Sequence, residues 1–594
     1  MAPGGLQLLS CVKSEDSVAH DPCPSSNATT IAHPALTFDT PHDPFLTFNQ
    51  TRNMSRHERI DHAIAKLICN SGSSLRLVDE STWGELLSAL EAPPDYSSPT
   101  SSYLRDKLIP AEAKRALLLM REYLAGQSNI SLSFDGLSAG EQPIYTVHTC
   151  TANRRSFLYR GDVFYGSHNT DYVVDLLEQV VNEIGAHRIS SVVSDDTNTT
   201  KKARRILSKH HPSILNLADP VHKINLCMQD ISLDPLWTDA LSRLRKLLTH
   251  FKLSTYATGR LKAARQLLSI ARGLQSIGKT RFATIYYSAT SILVNLPALY
   301  KIYRDREIDT TGTPLPDSVA EVLDEASVPA MDFRKALTQL VNVLEPFARA
   351  LLCLESMQST LSDVYFYWLA ALAALNQNFE LKQSRLSIQD KARFQNIIYR
   401  RFNEAINDAP TDVYVSAFFL DPRYRTSSIF SGLGHFDANI LLPASIQASP
   451  SAIRMTQAMY DRVRKQLLAM LRHELEVAED VPGHPLYRYD ALRAKNELIE
   501  QLSQYHISQP PFQQYSSRFN GPGQYWTVHR VSRFSFILAY LAEKVFSVLP
   551  NSMCDERTGS RLTYLYSKLR TQTDAKTMIE QIQFSQFNAT VCSI

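Results

Sequence analysis

Three acidic residues stand in contexts suited to phosphodiester chemistry. Asp135 lies in ISLSFDGLSAG, Asp195 in ISSVVSDDTNTTKKAR and Glu556 in LPNSMCDERTGSR. The first two close alternating apolar runs that predict strands, and the third opens a predicted helix some 360 residues further on. Cutting a phosphodiester requires charge stabilisation on the attacking oxygen, the leaving oxygen and the phosphoryl group. Two Mg²⁺ ions about 3.5–4 Å apart supply all three. Hard oxygen ligands suit Mg²⁺, which keeps water and substrate phosphate in its shell beside one or two carboxylates. Each acid also has a plainer reading. Asp135-Gly136 is a common turn signal, and Asp195 could cap the helix begun by TNTTKKAR. Ser552 and Asp555 have capping-box spacing, and Glu556 in a first turn favours the helix dipole.

The elements that must position these acids follow from the periodicity. Residues 1–55, rich in Ser, Thr, Pro, His and Asn, predict a disordered arm. Residues 56–128 are helical in period, with segments at HERIDHAIAKLICNSG, 82–91 and 110–125. At 129 the period shifts to two. Strands are predicted at 130–135, 142–152, 155–165, 187–194 and 213–218, with helices at 171–184 and 199–210. Residues 230–505 read as almost wholly helical, without a fixed repeat. The last segment, 506–594, carries a strong helix at 531–548 and another from about Ser552.

Several short motifs, in order, resemble those of hAT-superfamily transposases. FDGLS holds Asp135 and VVSDDTNTT holds Asp195. LADPVHKINLCMQDI keeps His222, with Asp219 in place of a cysteine. KTRFATIYYS has Phe282 where a tryptophan is usual. AFFLDPRYR, QYWTVH and NSMCDERTGSR complete the series. The resemblance implies an α/β plus α fold: a ribonuclease H-like mixed five-stranded sheet, its first part at 129–229, interrupted by the helical insertion 230–505 and resumed at 506–594. It implies that Asp135, Asp195 and Glu556 are catalytic and hold Mg²⁺ (or Mn²⁺), with no small-molecule cofactor, for cleavage and strand transfer on double-stranded DNA in the nucleus. It implies that Phe282 stacks on an extruded base beside Lys279 and Arg281, and that His222 lies near DNA. Homodimerisation or higher assembly is expected through the C-terminal segment with Trp526, Phe534, Leu541 and Phe546.

Plainer readings stand beside these. His222 suits a structural role, Phe282 a core aromatic, and Lys201, Lys202, Arg204 and Arg205 either phosphate contacts or a solvated basic helix face. The BED zinc finger common in that superfamily is not expected, because Cys11 and Cys23 lack paired cysteines and His20, His33 and His42 lack ligand spacing. A catalytically silent, transposon-derived DNA-binding or dimerisation protein is the alternative.

Composition excludes little by itself. The chain has 594 residues, a formal net charge of +3 and eight scattered cysteines without a C-x-x-C pair. No disulfide framework, signal peptide or membrane span is expected, which predicts an intracellular protein.

Overall fold

The computed structural model describes residues 54–592 apart from 140–141, 165–168, 279–282, 309–314, 381–384, 425–456, 513–514, 516–518 and 567–573. The arm expected at 1–55 lies outside the described residues except for its last two. The chain forms two compact units, one from the described residues up to Asn216 together with those from Ser547 onward, the other Leu217–Phe546. Residues 506–546, expected to rejoin the sheet, therefore belong to the helical unit.

The sheet unit opens with α1 (Arg56–Ser71), α2 (Ser81–Ala89) and α3 (Ile109–Ala125). Helix α1 starts in a reciprocal Ser55–Glu58 capping box and stops at Gly72, whose φ of 62° suits a residue without a Cβ. Next come β1 (Ile130–Ala139), β2 (Gln142–Cys150), β3 (Ser156–Val163), α4 (Thr170–Ile184), β4 (Ile189–Ser194), α5 (Asn198–His210) and β5 (Leu215–Ala218). The strands form a mixed sheet in the order β3-β2-β1-β4-β5. β1 runs antiparallel to β2 and parallel to β4, as the ribonuclease H-like expectation requires.

Both faces of the sheet are covered. Leu132, Phe134, Tyr145 and Val192 share one core with Val173, Leu177, Val180 and Val181 of α4. Ile144 and Leu158 share another with residues from the C-terminus. Every residue of β4 is buried, so its run is continuously apolar or small rather than alternating. One strand departs from the sequence reading. β1 continues to Ala139, so Asp135 and Gly136 pair with Thr146 and Tyr145 inside the ladder instead of making a turn.

The helical unit contains α6 (Pro220–Ser232), α7 (Thr238–Leu253), α8 (Thr255–Leu267), α9 (Ala283–Arg304), α10 (Asp317–Leu323), α11 (Val328–Leu354), α12 (Leu361–Glu380), α13 (Ile388–Phe402), α14 (Val413–Leu420), α15 (Gln457–Glu479), α16 (Ala491–His506), α17 (Gly521–Arg530) and α18 (Phe536–Ser547). Among the described residues only α11 is long and apolar enough to cross a membrane, and most of its apolar window is buried.

Two of the resembling motifs meet inside this unit. Asp421 of LDPRY, fully buried, accepts from Arg423 Nε at 3.0 Å and Nη2 at 2.7 Å. Tyr424 stacks on Phe366 with centroids 4.6 Å apart, and Trp526 of QYW donates its indole N–H to the Leu420 carbonyl at 2.9 Å. Burial of the neighbouring His529 lowers its pKa to about 4 and keeps the ring neutral.

The helix expected at 531–548 starts later, at Phe536, because 531–535 form a turn. α17 ends at Arg530 and α18 begins at Phe536. Between them, Ser535 Oγ donates to the His529 carbonyl at 2.5 Å and Ser532 Oγ accepts from Phe534 N at 3.3 Å, so serine side chains take backbone groups a continuous helix would use.

A buried ion pair clamps α15 to α18. Glu474 binds Lys544 Nζ and accepts from the Tyr540 hydroxyl at 2.5 Å. Burial alone would raise the Glu474 pKa, but Lys544, His484 and Tyr540 outweigh it and hold the group down to about 2. An unfolded glutamate takes up its proton near 4.5. The stability this group contributes is therefore complete above about pH 4.5 and is lost as pH falls toward 2. Urea midpoints followed by tryptophan fluorescence should fall over that window. In Glu474→Gln the fall should be shallower; an unchanged profile would remove Glu474 from the explanation.

The chain then returns to the sheet unit as α19 (Met553–Leu565) and α20 (Ala575–Cys592).

Candidate active site

The sheet topology makes neighbours of Asp135 and Asp195, 60 residues apart in sequence. In the parallel β1/β4 pair, Ser131 lies opposite Ser191 and Ser133 opposite Val193. Two residues further along both chains stand Asp135 and Asp195, one step beyond the end of β4. Burial raises the pKa of Tyr145, and the charges of Asp135 and Asp195 both add to the rise, so each carboxylate lies within electrostatic reach of that phenol.

Local bonds hold each aspartate. Asp135 Oδ1 accepts from Gly136 N at 2.8 Å. Asp195 Oδ1 accepts from Thr200 Oγ1 at 2.7 Å, and the same hydroxyl reaches the Asp195 carbonyl at 2.9 Å. Asp195 is not the cap of α5. That position is Thr197, which accepts from Thr200 N.

Helix α19, whose first turn carries Glu556, is seated on the sheet through a buried polar lock. Thr146, the cross-strand partner of Asp135, donates to Asp555 Oδ1 at 2.9 Å. His148 Nδ1 contacts the same oxygen at 2.7 Å, and its Nε2 reaches Thr558 Oγ1 at 2.9 Å. Asp555, Thr558 and His148 are at most 1 % exposed. Asp555 is therefore drawn into the sheet, and Ser552 makes no side-chain cap, so the capping-box reading fails.

Further along α19, Gly559 allows close approach: a Cβ there would lie 2.9 Å from Leu137 Cδ2. Arg561 Nη2 binds the Cys69 and Asn70 carbonyls at the end of α1. The DERTGSR segment thus divides its labour. Asp555, Thr558, Gly559 and Arg561 seat the helix and leave Glu556, half-buried, in its first turn.

Oxygen donors of this type suit Mg²⁺, and two aspartates meet its usual demand for protein ligands. Among the described residues no group of three or more His, Cys, Asp or Glu side chains is gathered to hold a metal. Glu556 therefore does not close a ready-made three-carboxylate cage.

A family model described as a domain of unknown function (DUF659) matches residues 99–248. That domain is associated with hAT-family transposases. The hAT-associated segment covers all five strands with Asp135 and Asp195 and stops before α19, so Glu556 lies outside it. No curated protein matches the chain.

The remaining candidates divide by exposure. Lys201, Lys202 and Arg205 are exposed on α5. Arg204 is a correction: it is 2 % exposed and ion-paired with Asp196, because its position on α5 faces the core beside Ala203 and Leu207. His222 is half-buried on α6, in the helical unit. Lys279, Arg281 and Phe282 lie outside the described residues.

Of the residues expected on a dimer surface, Trp526, Leu541 and Phe546 are buried within the helical unit, and only Phe534, 61 % exposed, is open. The aromatic-rich sequence there fills a core in which Trp526 packs against Tyr505, Phe512 and Tyr525 in tilted and edge-on contacts.

Sequence reasoning missed Tyr145, His148, Thr146 and Asp555. The signal was present in β2, where polar Thr146 and His148 alternate with apolar Tyr145 and Val147. Two fully buried polar side chains on one strand face require partners from an element packed over that face.

Proposed function

We propose that this chain is a hAT-type DNA transposase, or a protein derived from one, that cuts and rejoins DNA strands in the nucleus. The observation that supports it most is the shared register of Asp135 and Asp195 beneath the helix that Asp555 and Thr146 pin down beside Asp135. In this reading Asp135, Asp195 and Glu556 would be the carboxylates that hold Mg²⁺ (or Mn²⁺). The bound ions would supply Lewis-acid stabilisation of phosphoryl charge. The chain's own part is to orient the carboxylates: Thr200 fixes Asp195, the β1/β2 ladder fixes Asp135, and the His148–Asp555–Thr558 lock fixes the turn that carries Glu556. Lys201, Lys202 and Arg205 contribute sequence-independent phosphate contacts.

The experiment is divalent-ion-dependent nicking of duplexes in which terminal repeats flank the gene's own genomic borders. Products in Mg²⁺ or Mn²⁺ that vanish with chelator support an active enzyme. A second reading, a silent derivative that retains DNA binding or self-association, draws on the ungathered third carboxylate. It predicts DNA binding without products under every ion condition.

A further inference from the structure

Between Ala240 and Arg304 the chain has twelve Lys and Arg and not one Asp or Glu. The whole chain carries 62 basic and 59 acidic residues, which leaves 50 against 59 outside this stretch. The near-neutral total therefore hides a segment of +12 set in a remainder of −9. Part of that charge is neutralised by carboxylates from outside the stretch: Arg243 pairs with Asp239 and Glu321, Arg260 with Glu307, and Lys301 with Asp305. Arg245, Lys246, Lys252, Lys262, Arg265 and Arg272 have no carboxylate partner among the described residues.

The helices sort these cations outward. Beyond exposed Thr238 and Asp239, the exposed positions 242, 245, 246, 249 and 252 of α7 follow the helical period and carry Ser, Arg, Lys, Thr and Lys, with Leu253 exposed at the end, while Leu241, Leu244 and Leu247 are buried. On α8, Thr255, Gly259, Lys262 and Gln266 form the corresponding exposed stripe, over buried Ala257, Leu261 and Ala264. Only Ser254 separates the two helices. A hollow of about 410 Å³ lies beside Lys262, Arg265 and Gln266 at the end of α8.

We propose that the exposed faces of the consecutive helices α7 and α8 form a nucleic-acid-binding surface that contacts the phosphate backbone through Arg245, Lys246, Lys252 and Lys262. Unneutralised like charges repel and cost stability unless a polyanion screens them. Along α7 the stripe alternates cations with hydroxyls, the side chains that bind phosphate oxygens. A protein-binding core would instead be depleted of Lys and Ser and enriched in aromatic residues. The choice of a nucleic acid among polyanions rests on the DNA-processing reading above, but the surface is separate from the carboxylates and needs no catalysis.

The test uses the full chain, a labelled short duplex and fluorescence anisotropy at several salt concentrations. The variant combines Arg245→Gln, Lys246→Gln, Lys252→Gln and Lys262→Gln. Its control removes the same charge elsewhere: Arg464→Gln, Lys465→Gln, Arg472→Gln and Lys495→Gln. Affinity of the α7–α8 variant should fall at least tenfold. The slope of log K against log salt should become shallower by about 3.6, since each of the four lost phosphate contacts removes roughly 0.9. If that variant does not fold, as judged by its thermal midpoint, Lys252→Gln with Lys262→Gln should still flatten the slope by about 2. Equal loss in variant and control overturns the assignment and leaves the DNA-processing reading standing. Wild-type protein that binds no duplex at low salt overturns both. Retention of wild-type but not variant protein on phosphatidylserine vesicles, without DNA binding, reassigns the surface to lipid and also overturns the proposal.

Discussion

Asp135→Asn, Asp195→Asn and Glu556→Gln are each expected to abolish Mg²⁺-dependent strand cleavage, by at least a thousandfold if the wild-type protein nicks DNA. Each substitution keeps the shape of the side chain and removes the negative charge that makes it a ligand for a hard cation. The thermal midpoint should stay level or rise. Asp135 and Asp195 stand at the same register on neighbouring strands, so neutralising either relieves repulsion in the metal-free protein. That opposite movement of activity and stability separates a catalytic acid from a structural one. Mn²⁺ titration of the three variants supplies a second readout, since weakened ligation should raise the ion concentration required. A variant that melts early and loses activity in proportion would assign its carboxylate to folding. Full activity in Glu556→Gln would remove the third acid from the mechanism and leave the aspartate pair.

His148→Leu should have the largest effect on folding in the sheet unit. It leaves Asp555 fully buried with Thr146 as its remaining side-chain donor, while Asp555 Oδ2 already lacks a hydrogen-bond partner. Leaving a buried carboxylate short of a hydrogen-bond partner costs about 3 kcal/mol, the upper end of the range for an unsatisfied buried group. For a unit of this size that lowers the midpoint by roughly 10 °C. His148→Leu combined with Asp555→Leu should recover much of the loss, since apolar residues of similar volume can replace a buried pair. The same lock seats the turn that carries Glu556, so the double variant should remain slow in cleavage even where it folds well. Misplacing a catalytic group by about 1 Å costs on the order of a hundredfold. Chemical denaturation of the four members of this cycle, with cleavage rates beside it, is the measurement. Additive losses would show that His148 and Asp555 do not act as a pair.

Much of the sheet was legible in the sequence because its strands alternate in period two and its helices in period 3.6. The five strands and the helices at 170–184 and 198–210 fall within a few residues of their expected positions. Where apolar residues run on without a period, the sequence was less informative. VSRFSFILAYLAEKVFSV reads as one helix from its first residue, yet VSRFS forms a serine-bonded turn and the helix starts only at Phe536. The apolar residues of that region were expected partly under the sheet and partly on an intermolecular surface, yet Trp526, Leu541 and Phe546 lie inside the helical unit while Phe534 is exposed, because hydrophobicity does not say which neighbour covers a side chain.

The sequence by itself determined which residues are chemically able to act: Asp135 and Asp195 at the ends of apolar runs, and Glu556 at a helix start. It also determined the order of elements from which a mixed sheet could be read. Only the tertiary structure decided that β1 lies parallel to β4, that Thr146 beside Asp135 holds Asp555, and that Arg204 turns inward to Asp196 while Lys201 and Lys202 stay in solvent. The physical reason is the separation along the chain. Periodicity reports the faces of an element over a few residues, whereas hydrogen bonds between positions some 400 apart depend on which faces are stacked.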